Sequence, residues 1–228
     1  MGGVSAVIPA AGSGRRLGRP VRKQYIKLCG KPLLAHTLDA FEKCPDVDDI
    51  VLVVPPGDEE FCLREIVEGH HISKVREIVG GGDRRQESVF NGLMALGDDT
   101  SIVVIHDAVR PFIDPEDISG AIALCGECGA VVTAIPVSDT VKVSDGRVVE
   151  GTLDRSRLWL AQTPQVFRLN LIMEAYRRAA EDNFTATDDS SLVERTGTEV
   201  RIYVGSGRNI KVTTPDDLRM AELILRSF

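Results

Sequence analysis

Apolar runs and amphipathic segments alternate along most of the chain. The runs are rich in β-branched residues and predict strands over Ser5–Ile8, Ile50–Val54, Val75–Val79, Ile102–Ile105, Ala130–Ile135 and Val200–Val204. Apolar residues at helical spacing predict helices over Pro32–Cys44 (with Pro32 in the first turn), Asp58–Gly69, Arg84–Leu96, Pro115–Cys125, Leu169–Asp182, Asp188–Arg195 and Pro215–Arg226. This alternation predicts an α/β fold with a mostly parallel sheet, helices on both faces, and a ligand site at the carboxyl ends of the strands.

One segment breaks this alternation. From Asp139 to Thr152, two short runs of alternating polarity flank Ser144-Asp145-Gly146, and Asp-Gly is a strong turn signal. We expect a β-hairpin that is polar outside and has no evident core to cover. It either projects as an arm that packs on a second subunit or folds against the edge of its own domain, and the pattern leaves both open.

Length and composition are those of an ordinary globular protein. The chain has 228 residues, of which 43% are hydrophobic and 27% charged, and no repeat or linker interrupts it, so we expect a single domain over residues 1–228. No run approaches the roughly 18 to 20 apolar residues of a membrane span, and no basic segment precedes the first apolar run. We therefore expect no membrane association and a cytoplasmic location.

The charges and the cysteines exclude some classes of partner. With 27 basic and 34 acidic residues the net charge is -7, which argues against sequence-independent binding of nucleic acid. A local basic cluster nevertheless suits a small polyanion; its members are Arg15, Arg16, Arg19, Arg22, Lys23 and Lys27. The five cysteines lack framework spacing and predict reduced thiols, and Cys125-Gly-Glu-Cys128 has no second ligand pair, so we expect a helix end there and no metal.

The stretch VIPAAGSGRR, from Val7 to Arg16, is an apolar run that ends in a small-residue turn and two arginines. Small residues let successive backbone N–H groups converge on phosphate oxygens, while Arg15, Arg16 and Lys23 supply positive charge. Neither the P-loop pattern nor the glycine spacing of a dinucleotide-binding turn is present. The stretch predicts a phosphate cradle; the alternative is an ordinary glycine-rich loop with solvated arginines.

A second glycine-rich turn, GGGDRRQES from Gly80 to Ser88, follows a predicted strand and begins a helix. Glycines permit close backbone approach to a flat ligand, and Asp83 and Ser88 could read the edge of a base by hydrogen bonds. The alternative is a plain strand-to-helix connection in which Asp83 caps the helix. That alternative leaves two of the glycines without a reason.

Two further stretches end strands with charged residues. Asp107 follows the run that ends in His106, and a carboxylate at such a strand end suits Mg²⁺ or a ribose hydroxyl. We interpret His106 as a structural histidine, because the G-x-S-x-G elbow of a hydrolase triad is absent. Lys211 and Thr213 alternate along an extended segment before the last helix and could face one site; the alternative is an ordinary solvated lysine.

Taken together and in this order, these stretches resemble the 2-C-methyl-D-erythritol 4-phosphate cytidylyltransferases of the non-mevalonate isoprenoid pathway. The matching motifs span nearly the whole chain: PAAGSGRR, KQY, GGDRRQESV, HDAVRPF, SDT at Ser138–Thr140, LDR at Leu153–Arg155, QTPQVF at Gln162–Phe167, TDDSS at Thr187–Ser191, and NIKVTTPDDL. One departure is visible: that family commonly has proline before the lysine of KQY, where this chain has Arg22.

The resemblance implies a Rossmann-like nucleotidyltransferase fold whose β-hairpin arm, at about 138–155, joins two chains in a homodimer. The implied reaction combines CTP with 2-C-methyl-D-erythritol 4-phosphate and releases pyrophosphate, with Mg²⁺ as cofactor and Asp107 at the metal. The residues implied for the CTP phosphates are Ala10, Ala11, Gly12, Gly14, Arg15, Arg16 and Lys23, with Gly81, Gly82, Asp83 and Ser88 at the cytosine and Asp107 and Ala108 at the ribose.

The same resemblance assigns the acceptor and the catalytic groups. The implied acceptor residues are Asp107, Arg110, Thr163, Thr187 and Lys211, joined by Thr140 and Arg155 from the partner's arm. Lys23 and Lys211, assisted by Arg16, would be catalytic. Two rival functions remain: a ribitol 5-phosphate cytidylyltransferase, whose first loop more often reads Leu-Ala-Gly-Gly, and a nucleotide-binding regulatory module without turnover.

Overall fold

The computed structural model of the chain describes residues 2–12 and 22–226. Its strands, in chain order, are β1 Gly3–Pro9, β2 Lys27–Leu28, β3 Lys31–Pro32, β4 Asp49–Val54, β5 Val75–Gly80, β6 Thr100–Ile105, β7 Ala130–Pro136, β8 Lys142–Ser144, β9 Val149–Thr152, β10 Trp159–Arg168 and β11 Arg201–Val204. Its α-helices are α1 Leu33–Lys43, α2 Glu59–Phe61, α3 Arg85–Met94, α4 Pro115–Cys128, α5 Leu169–Glu181, α6 Asp189–Glu194 and α7 Pro215–Arg226.

Seven of these strands form one sheet in the order β11-β7-β10-β6-β1-β4-β5. The chain starts at β1, adds β4 and β5 on one side, and returns to place β6 on the other side. The four strands β6, β1, β4 and β5 are parallel, so their carboxyl ends meet at one edge of the sheet. The strand order reverses between β1 and β6, which is where open α/β sheets bind ligands.

The sequence pattern did not predict β10. This ten-residue strand lies between β6 and β7 and is antiparallel to both. Gln162-Thr163-Pro164 interrupts its pattern, and its pairing with β7 shifts register between Ala161 and Gln165. Proline provides no ladder donor and usually marks a strand edge or bulge, so the run did not have the appearance of a central strand.

Apolar side chains alternate between the two faces of the sheet, as helices on both faces require. On β1, Ala6 and Ile8 pack with α1 and α4 on one face, whereas Val7 packs with α3, α5 and α6 on the other. A smaller cluster packs α7 against β2. The predicted α/β architecture with helices on both faces is confirmed.

Several helices begin or end at residues other than those predicted. Pro32 is extended, with φ -57° and ψ 142°, so α1 begins at Leu33 rather than in the turn that contains the proline. The predicted helix Asp58–Gly69 is one α-helical turn, α2, that continues as a π-helical segment over Cys62–Val67 and a 3-10 turn over Glu68–His70. α4 ends at Cys128 because Gly129 takes the left-handed conformation, with φ 87°.

The predicted hairpin is present as β8 and β9, which pair antiparallel in a sheet of their own. Gly146 has φ 95° in the turn, and Asp145 accepts hydrogen bonds from the backbone of Arg147 and Val148. Most hairpin side chains are exposed, including Val148 at 66% and Val149 at 58%. The hairpin therefore carries an uncovered apolar surface.

Across residues 2–12 and 22–226, every helix is too short or too polar to cross a membrane.

Candidate active site

A cavity of about 500 Å³ opens at the carboxyl edge of the sheet, where β1, β5 and β6 end. This volume is in the range of small-ligand sites. It is lined by Pro9, Ala10, Ala11, Gly12, Lys23, Gln24, Gly82, Asp83, Arg84, Arg85, Ser88, Asp107, Ala108, Val109 and Lys211. The cavity thus brings together three predicted loops and Lys211 from the segment before α7.

The first loop contributes small residues and the ammonium group of Lys23. The N–H of Ala10 donates to the carbonyl of Val53 at 2.6 Å, so that donor is used within the fold. A Cβ added to Gly12 would lie 3.7 Å from Lys23 Nζ, which places the ammonium group against the loop. Gly14, Arg15 and Arg16 lie in the stretch 13–21, outside the described residues, and their predicted contacts stay predictions.

The glycines of the second loop have packing reasons within the chain. A Cβ on Gly81 would overlap Ala11 and lie 2.8 Å from Ser88 Oγ, and a Cβ on Gly82 would lie 2.5 Å from the Cβ of Glu87. Such distances cannot be accommodated without movement. The glycines therefore let the second loop pack against the first loop and against α3.

Glu87, and not Asp83, satisfies the start of α3. Glu87 Oε2 accepts hydrogen bonds from the backbone N–H of Asp83 at 2.8 Å and of Arg84 at 3.2 Å. The alternative in which Asp83 caps the helix is wrong, because Arg84 is the N-cap residue, and Asp83 lines the cavity instead. Ser88 Oγ accepts the N–H of Gly82 at 3.2 Å, so this hydroxyl shapes the loop at the cavity wall.

Asp107 lies at the centre of a cluster of positive charges. Its Oδ2 is 2.8 Å from Lys211 Nζ and 3.6 Å from Arg110 Nε, and its Oδ1 accepts a hydrogen bond from Arg85 Nε at 3.1 Å. Its backbone N–H donates to Thr163 Oγ1 at 3.0 Å. Asp107 is 9% exposed and Lys211 is 36% exposed, so the lysine lies between the buried carboxylate and the open cavity.

These neighbours keep Asp107 ionised. Burial alone would raise the pKa of Asp107, but the charges of Arg85 and Lys211 outweigh it and hold the pKa well below its ordinary range. Three cationic side chains contact Asp107, and one of them, Arg85, also pairs with a second carboxylate, Asp189. Among these described groups the cations still outnumber the carboxylates, which suits an anionic ligand.

Arg85 is a site residue within the GGDRRQESV motif for which the sequence predicted no role. Besides Asp107, its guanidinium contacts Asp189 Oδ2 at 2.8 Å, and Asp189 Oδ1 accepts a hydrogen bond from Tyr176 at 2.7 Å. The pKa of Arg85 is raised, because its two carboxylate partners outweigh burial. Two consecutive arginines give no sequence signal as to which one turns inward, so this bridge could not have been predicted.

Three consecutive residues at the start of α3 hold the segment 184–189. Gln86 donates to the carbonyl of Phe184 at 3.2 Å and accepts the N–H of Ala186 at 3.0 Å. Arg84 donates to Thr185 Oγ1 at 2.8 Å, beside the Arg85–Asp189 ion pair. The second glycine-rich loop and the TDDSS motif are therefore one connected unit.

The remaining predicted residues lie at different distances from the cavity. Thr163 is buried against Asp107, and Arg110 is buried with its NH1 donating to the carbonyl of Asn209 at 2.7 Å. Thr187 lies beside Arg85 at a smaller depression. Thr140 and Arg155 are on the hairpin side of the chain, where Arg155 donates to the carbonyl of Ser138 at 2.7 Å, and they do not line the cavity of their own chain.

His106 takes no part in the cavity. It is fully buried, its Nε2 lies 3.1 Å from the carbonyl of Arg110, and its ring lies against Phe41. Burial lowers the pKa of His106 to about 4, so the ring is neutral and Nε2 carries the proton. The interpretation of His106 as a structural residue agrees with this environment, although Nδ1 has no hydrogen-bond partner among residues 2–12 and 22–226.

The chemistry of the cavity suits an anionic ligand, and metal binding by protein groups alone is not evident. Within the described ranges there is no group of three or more His, Cys, Asp or Glu side chains that could hold a metal ion. Asp107 is a buried, ionised carboxylate in the cavity lining and therefore a hard oxygen ligand. Mg²⁺ commonly takes one or two carboxylates together with substrate phosphates, and this donor set fits such an arrangement.

The chain is similar to known proteins over nearly its full length. The sequence model of the 2-C-methyl-D-erythritol 4-phosphate cytidylyltransferase family matches residues 4–227. A relative of that name from Desulforamulus reducens is 49% identical over 99% of this chain and 97% of its own. Another from Pelotomaculum thermopropionicum is 48% identical over 98% of this chain and 94% of its own.

Solved structures are similar as well. The crystal structure of 4-diphosphocytidyl-2C-methyl-D-erythritol synthase from Anaerococcus prevotii has a TM-score of 0.88 and 35% identity, covering 99% of this chain and 96% of that one. The 2-C-methyl-D-erythritol 4-phosphate cytidylyltransferase from Thermus thermophilus has a TM-score of 0.82 and 31% identity, covering 98% and 99%.

Proposed function

Because the chain belongs to the 2-C-methyl-D-erythritol 4-phosphate cytidylyltransferase family, we propose that the cavity around Asp107 is where it performs the reaction of that family. The chain is a nucleotidyltransferase of isoprenoid precursor biosynthesis. It joins CTP to 2-C-methyl-D-erythritol 4-phosphate, giving 4-diphosphocytidyl-2-C-methyl-D-erythritol and pyrophosphate. The observation that carries the proposed site is the cluster of Lys211, Arg85 and Arg110 on the buried carboxylate of Asp107.

The reaction needs charge neutralisation more than it needs a base. The phosphate of the acceptor is already an anionic nucleophile, and it attacks the α-phosphorus of CTP, which is itself surrounded by negative oxygens. The new P–O bond forms as the bond to the pyrophosphate leaving group breaks. Positioning and electrostatic stabilisation therefore supply most of the catalysis, as in phosphoryl transfer generally.

Lys211 and Lys23 are the proposed catalytic residues, with Arg16 assisting. Lys211 lies over Asp107 and faces the cavity, so that an incoming phosphate can share its ammonium group. Lys23 approaches from the opposite loop, beside Gly12. Two cations on opposite sides could stabilise the entering and departing oxygens at the same time.

The proposed CTP site follows the two loops. Ala10, Ala11 and Gly12 would hold the triphosphate together with Gly14, Arg15 and Arg16. Gly81, Gly82, Asp83 and Ser88 would hold the cytosine, and Ala108 would lie at the ribose. The packing of Gly81 on Ala11 supports this arrangement, because it fixes the spacing between the two loops.

Mg²⁺ is part of the proposal. Asp107 would hold the ion together with phosphate oxygens of CTP, and Lys211 would then turn to the acceptor phosphate. When bound, Mg²⁺ would offset the charge of the triphosphate. The protein's own contribution is to keep Asp107 ionised, which Arg85 does.

The proposal includes a homodimer made through the arm of residues 138–155, set on a single nucleotidyltransferase domain. The exposed valines of the hairpin support it, since a projecting two-stranded sheet needs a partner to cover its apolar side. Thr140 and Arg155 would then complete the acceptor site of the second chain, together with Arg110, Thr163 and Thr187 of that chain. A cytoplasmic location is supported by the five cysteines, all of them free thiols.

Pyrophosphate release with CTP and Mg²⁺ tests the proposal. We expect turnover with 2-C-methyl-D-erythritol 4-phosphate and little with ribitol 5-phosphate. A preference for ribitol 5-phosphate would keep the CTP site and overturn the acceptor. CTP binding without release from either acceptor would favour the regulatory module, and chelation with EDTA should stop turnover if Mg²⁺ is required.

A further inference from the structure

Lys23 begins a short 3-10 turn, Lys23–Tyr25, and Arg22 precedes it as the N-cap residue. Its ammonium group faces Gly12 and lines the cavity. Lysine has four rotatable side-chain bonds, so the backbone on either side must be held if the ammonium group is to stay in place. Arg22 and Tyr25 lie on the two sides of Lys23 and Gln24, so their contacts help to fix where Lys23 lies.

Arg22 and Tyr25 both bind the same carboxylate oxygen of Asp58. Arg22 NH1 lies 3.2 Å from Asp58 Oδ2, and the hydroxyl of Tyr25 donates to that oxygen at 2.9 Å. The Tyr25 hydroxyl also lies 3.1 Å from Cys62 Sγ, and its ring packs edge-on against Phe61 at 5.0 Å. Asp58 immediately precedes α2, and its carbonyl accepts the N–H of Cys62 at 2.8 Å.

The Tyr25 hydroxyl remains a hydrogen-bond donor in this environment. Burial, reinforced by Cys62 and Asp58, raises the pKa of Tyr25 well above its ordinary value. The hydroxyl therefore keeps its proton at neutral pH and donates it to Asp58.

The backbone of Arg22 has the conformation that a proline would impose. Its φ is -60° and its ψ is 140°, and the pyrrolidine ring fixes φ near -65°. This is also the position at which the sequence departs from the Pro-Lys-Gln-Tyr pattern. In this chain the Arg22–Asp58 ion pair holds the backbone in a conformation that the ring of a proline would fix covalently.

The exposure of the pair separates positioning from stability. The side chains of Arg22 and Asp58 are 42% and 24% exposed, and pairs open to water contribute little to global stability. The pair can therefore act mainly by holding the local geometry around Lys23. The loss of the pair would change the site and leave the fold nearly unchanged.

We propose that Asp58 is a positioning residue for Lys23, acting through its shared contacts with Arg22 and Tyr25. The inference rests on the proposed function, because it takes Lys23 to contact the triphosphate of CTP. Asp58 does not line the cavity. It binds Arg22, which precedes the proposed catalytic lysine, and Tyr25, which lies two residues after it.

The test compares Asp58→Asn with matched variants. Asparagine can still accept from Tyr25 but no longer pairs with the charge of Arg22. We expect kcat/KM for CTP to fall about tenfold, because misplacement of a catalytic group by a fraction of an ångström is costly, while the melting temperature stays close to that of the wild type. Glu60→Gln, which breaks the exposed Glu60–Arg64 pair at 2.7 Å on the adjacent turn, should change neither quantity.

Two double variants identify the route of the effect. Arg22→Pro combined with Asp58→Asn should recover most of the lost kcat/KM, since the ring fixes the backbone without the ion pair. In a Lys23→Ala background, Asp58→Asn should have no additional effect. An unchanged kcat/KM in Asp58→Asn, a fall explained by unfolding, or an undiminished effect without Lys23 would each overturn the positioning role.

Calorimetric titration with CTP separates this inference from the proposed function. If the wild-type chain bound CTP but released no pyrophosphate, the function would be contradicted, and Asp58→Asn should still weaken CTP binding by a similar factor. If CTP affinity were the same in Asp58→Asn and the wild type, the inference would fail, whatever the turnover.

Discussion

Lys211 Nζ lies 2.8 Å from Asp107 Oδ2, although the lysine is four times as exposed as the carboxylate it pairs with. Arg85 and Arg110 also contact this carboxylate, so Asp107 keeps cationic partners when the lysine moves to a ligand. The lysine is therefore available to an anionic ligand, and the ion pair with Asp107 positions its ammonium group. This relationship is the physical basis for assigning catalysis to Lys211.

Replacement of Lys211 by alanine should remove the larger part of catalysis. We expect kcat to fall by about 100-fold or more, since the loss of one charge-stabilising donor has that effect in related sites, with a smaller change in KM for CTP. Steady-state pyrophosphate release measures both constants. Lys43→Ala, at an exposed position at the end of α1, is the control, and a similar loss in both variants would contradict the assignment.

Replacement of Arg85 by glutamine should shift the pH dependence of activity. Without this cation the pKa of Asp107 rises from its depressed position, so Asp107 becomes protonated at a higher pH and the acid limb of the kcat/KM profile moves upward. The variant also leaves Asp189 unpaired, which should cost about 3 kcal/mol of stability. Adding Asp189→Asn should restore stability without restoring the acid limb.

That result would distinguish two roles of one side chain. An acid limb that stays in place in the folded double variant would show that Arg85 is only structural. Arg178→Gln, on the exposed face of α5 where Arg178 pairs with Glu174, provides a control for the removal of an arginine.

Replacement of Gln86 by leucine should weaken the acceptor site more than the CTP site. The side chain makes both hydrogen bonds to the backbone of Phe184 and Ala186, and this segment leads directly to Thr187. We expect KM for 2-C-methyl-D-erythritol 4-phosphate to rise about fivefold, because loss of two hydrogen bonds of ordinary strength loosens the segment. Asn170→Leu, an exposed amide on α5, is the control; equal changes in the KM values of both substrates would contradict the connection.

Sequence reasoning reached the loops and strands of the site but not the network behind them. Strands β1, β4, β5 and β6 were predictable because runs rich in β-branched residues mark buried parallel strands, and glycines follow β1, β4 and β5 within a few residues. β10 was not, since Pro164 interrupts its pattern. Gly81 illustrates a different limit. The glycine-rich motif suggested close approach to a ligand, whereas the contact of Gly81 with Ala11 depends on the strand order β1-β4-β5, which only the fold reveals.

His106 should make the protein sensitive to mild acid. Its pKa is about 4 in the folded chain against an ordinary value of 6.5, so between these values the unfolded chain binds the additional proton and stability falls as the pH falls. The full effect is about 3 kcal/mol, at about 1.4 kcal/mol per pKa unit. Urea unfolding from pH 7 to 4 measures it.

The pH window separates His106 from the carboxylates. Asp107, whose pKa is depressed, loses its contribution only as the pH falls below the ordinary range for a carboxylate. Burial also lowers the pKa values of His36 and His70, so His106→Gln should reduce the slope between pH 6.5 and 4 without abolishing it, and it should leave the steeper loss at lower pH. An unchanged slope between pH 6.5 and 4 would show that His106 does not contribute to it.

Mixing two inactive variants should restore activity if the arm completes the site of a second chain. Lys211→Ala removes a cation from its own cavity and keeps an intact arm, whereas Arg155→Ala keeps its cavity and removes a proposed acceptor contact from its arm. In a mixed dimer the Arg155→Ala chain receives the intact arm, so one of the two sites is complete. Random exchange of subunits should give about one quarter of wild-type activity, since half of the dimers are mixed and each has one working site.

Val148→Asp, which places a charge on the exposed valine surface of the hairpin, should prevent both dimer formation in sedimentation analysis and this recovery. Recovery that survives Val148→Asp in both chains would mean that the arm does not join them, and no recovery from chains that do exchange would mean that Arg155 acts within its own chain.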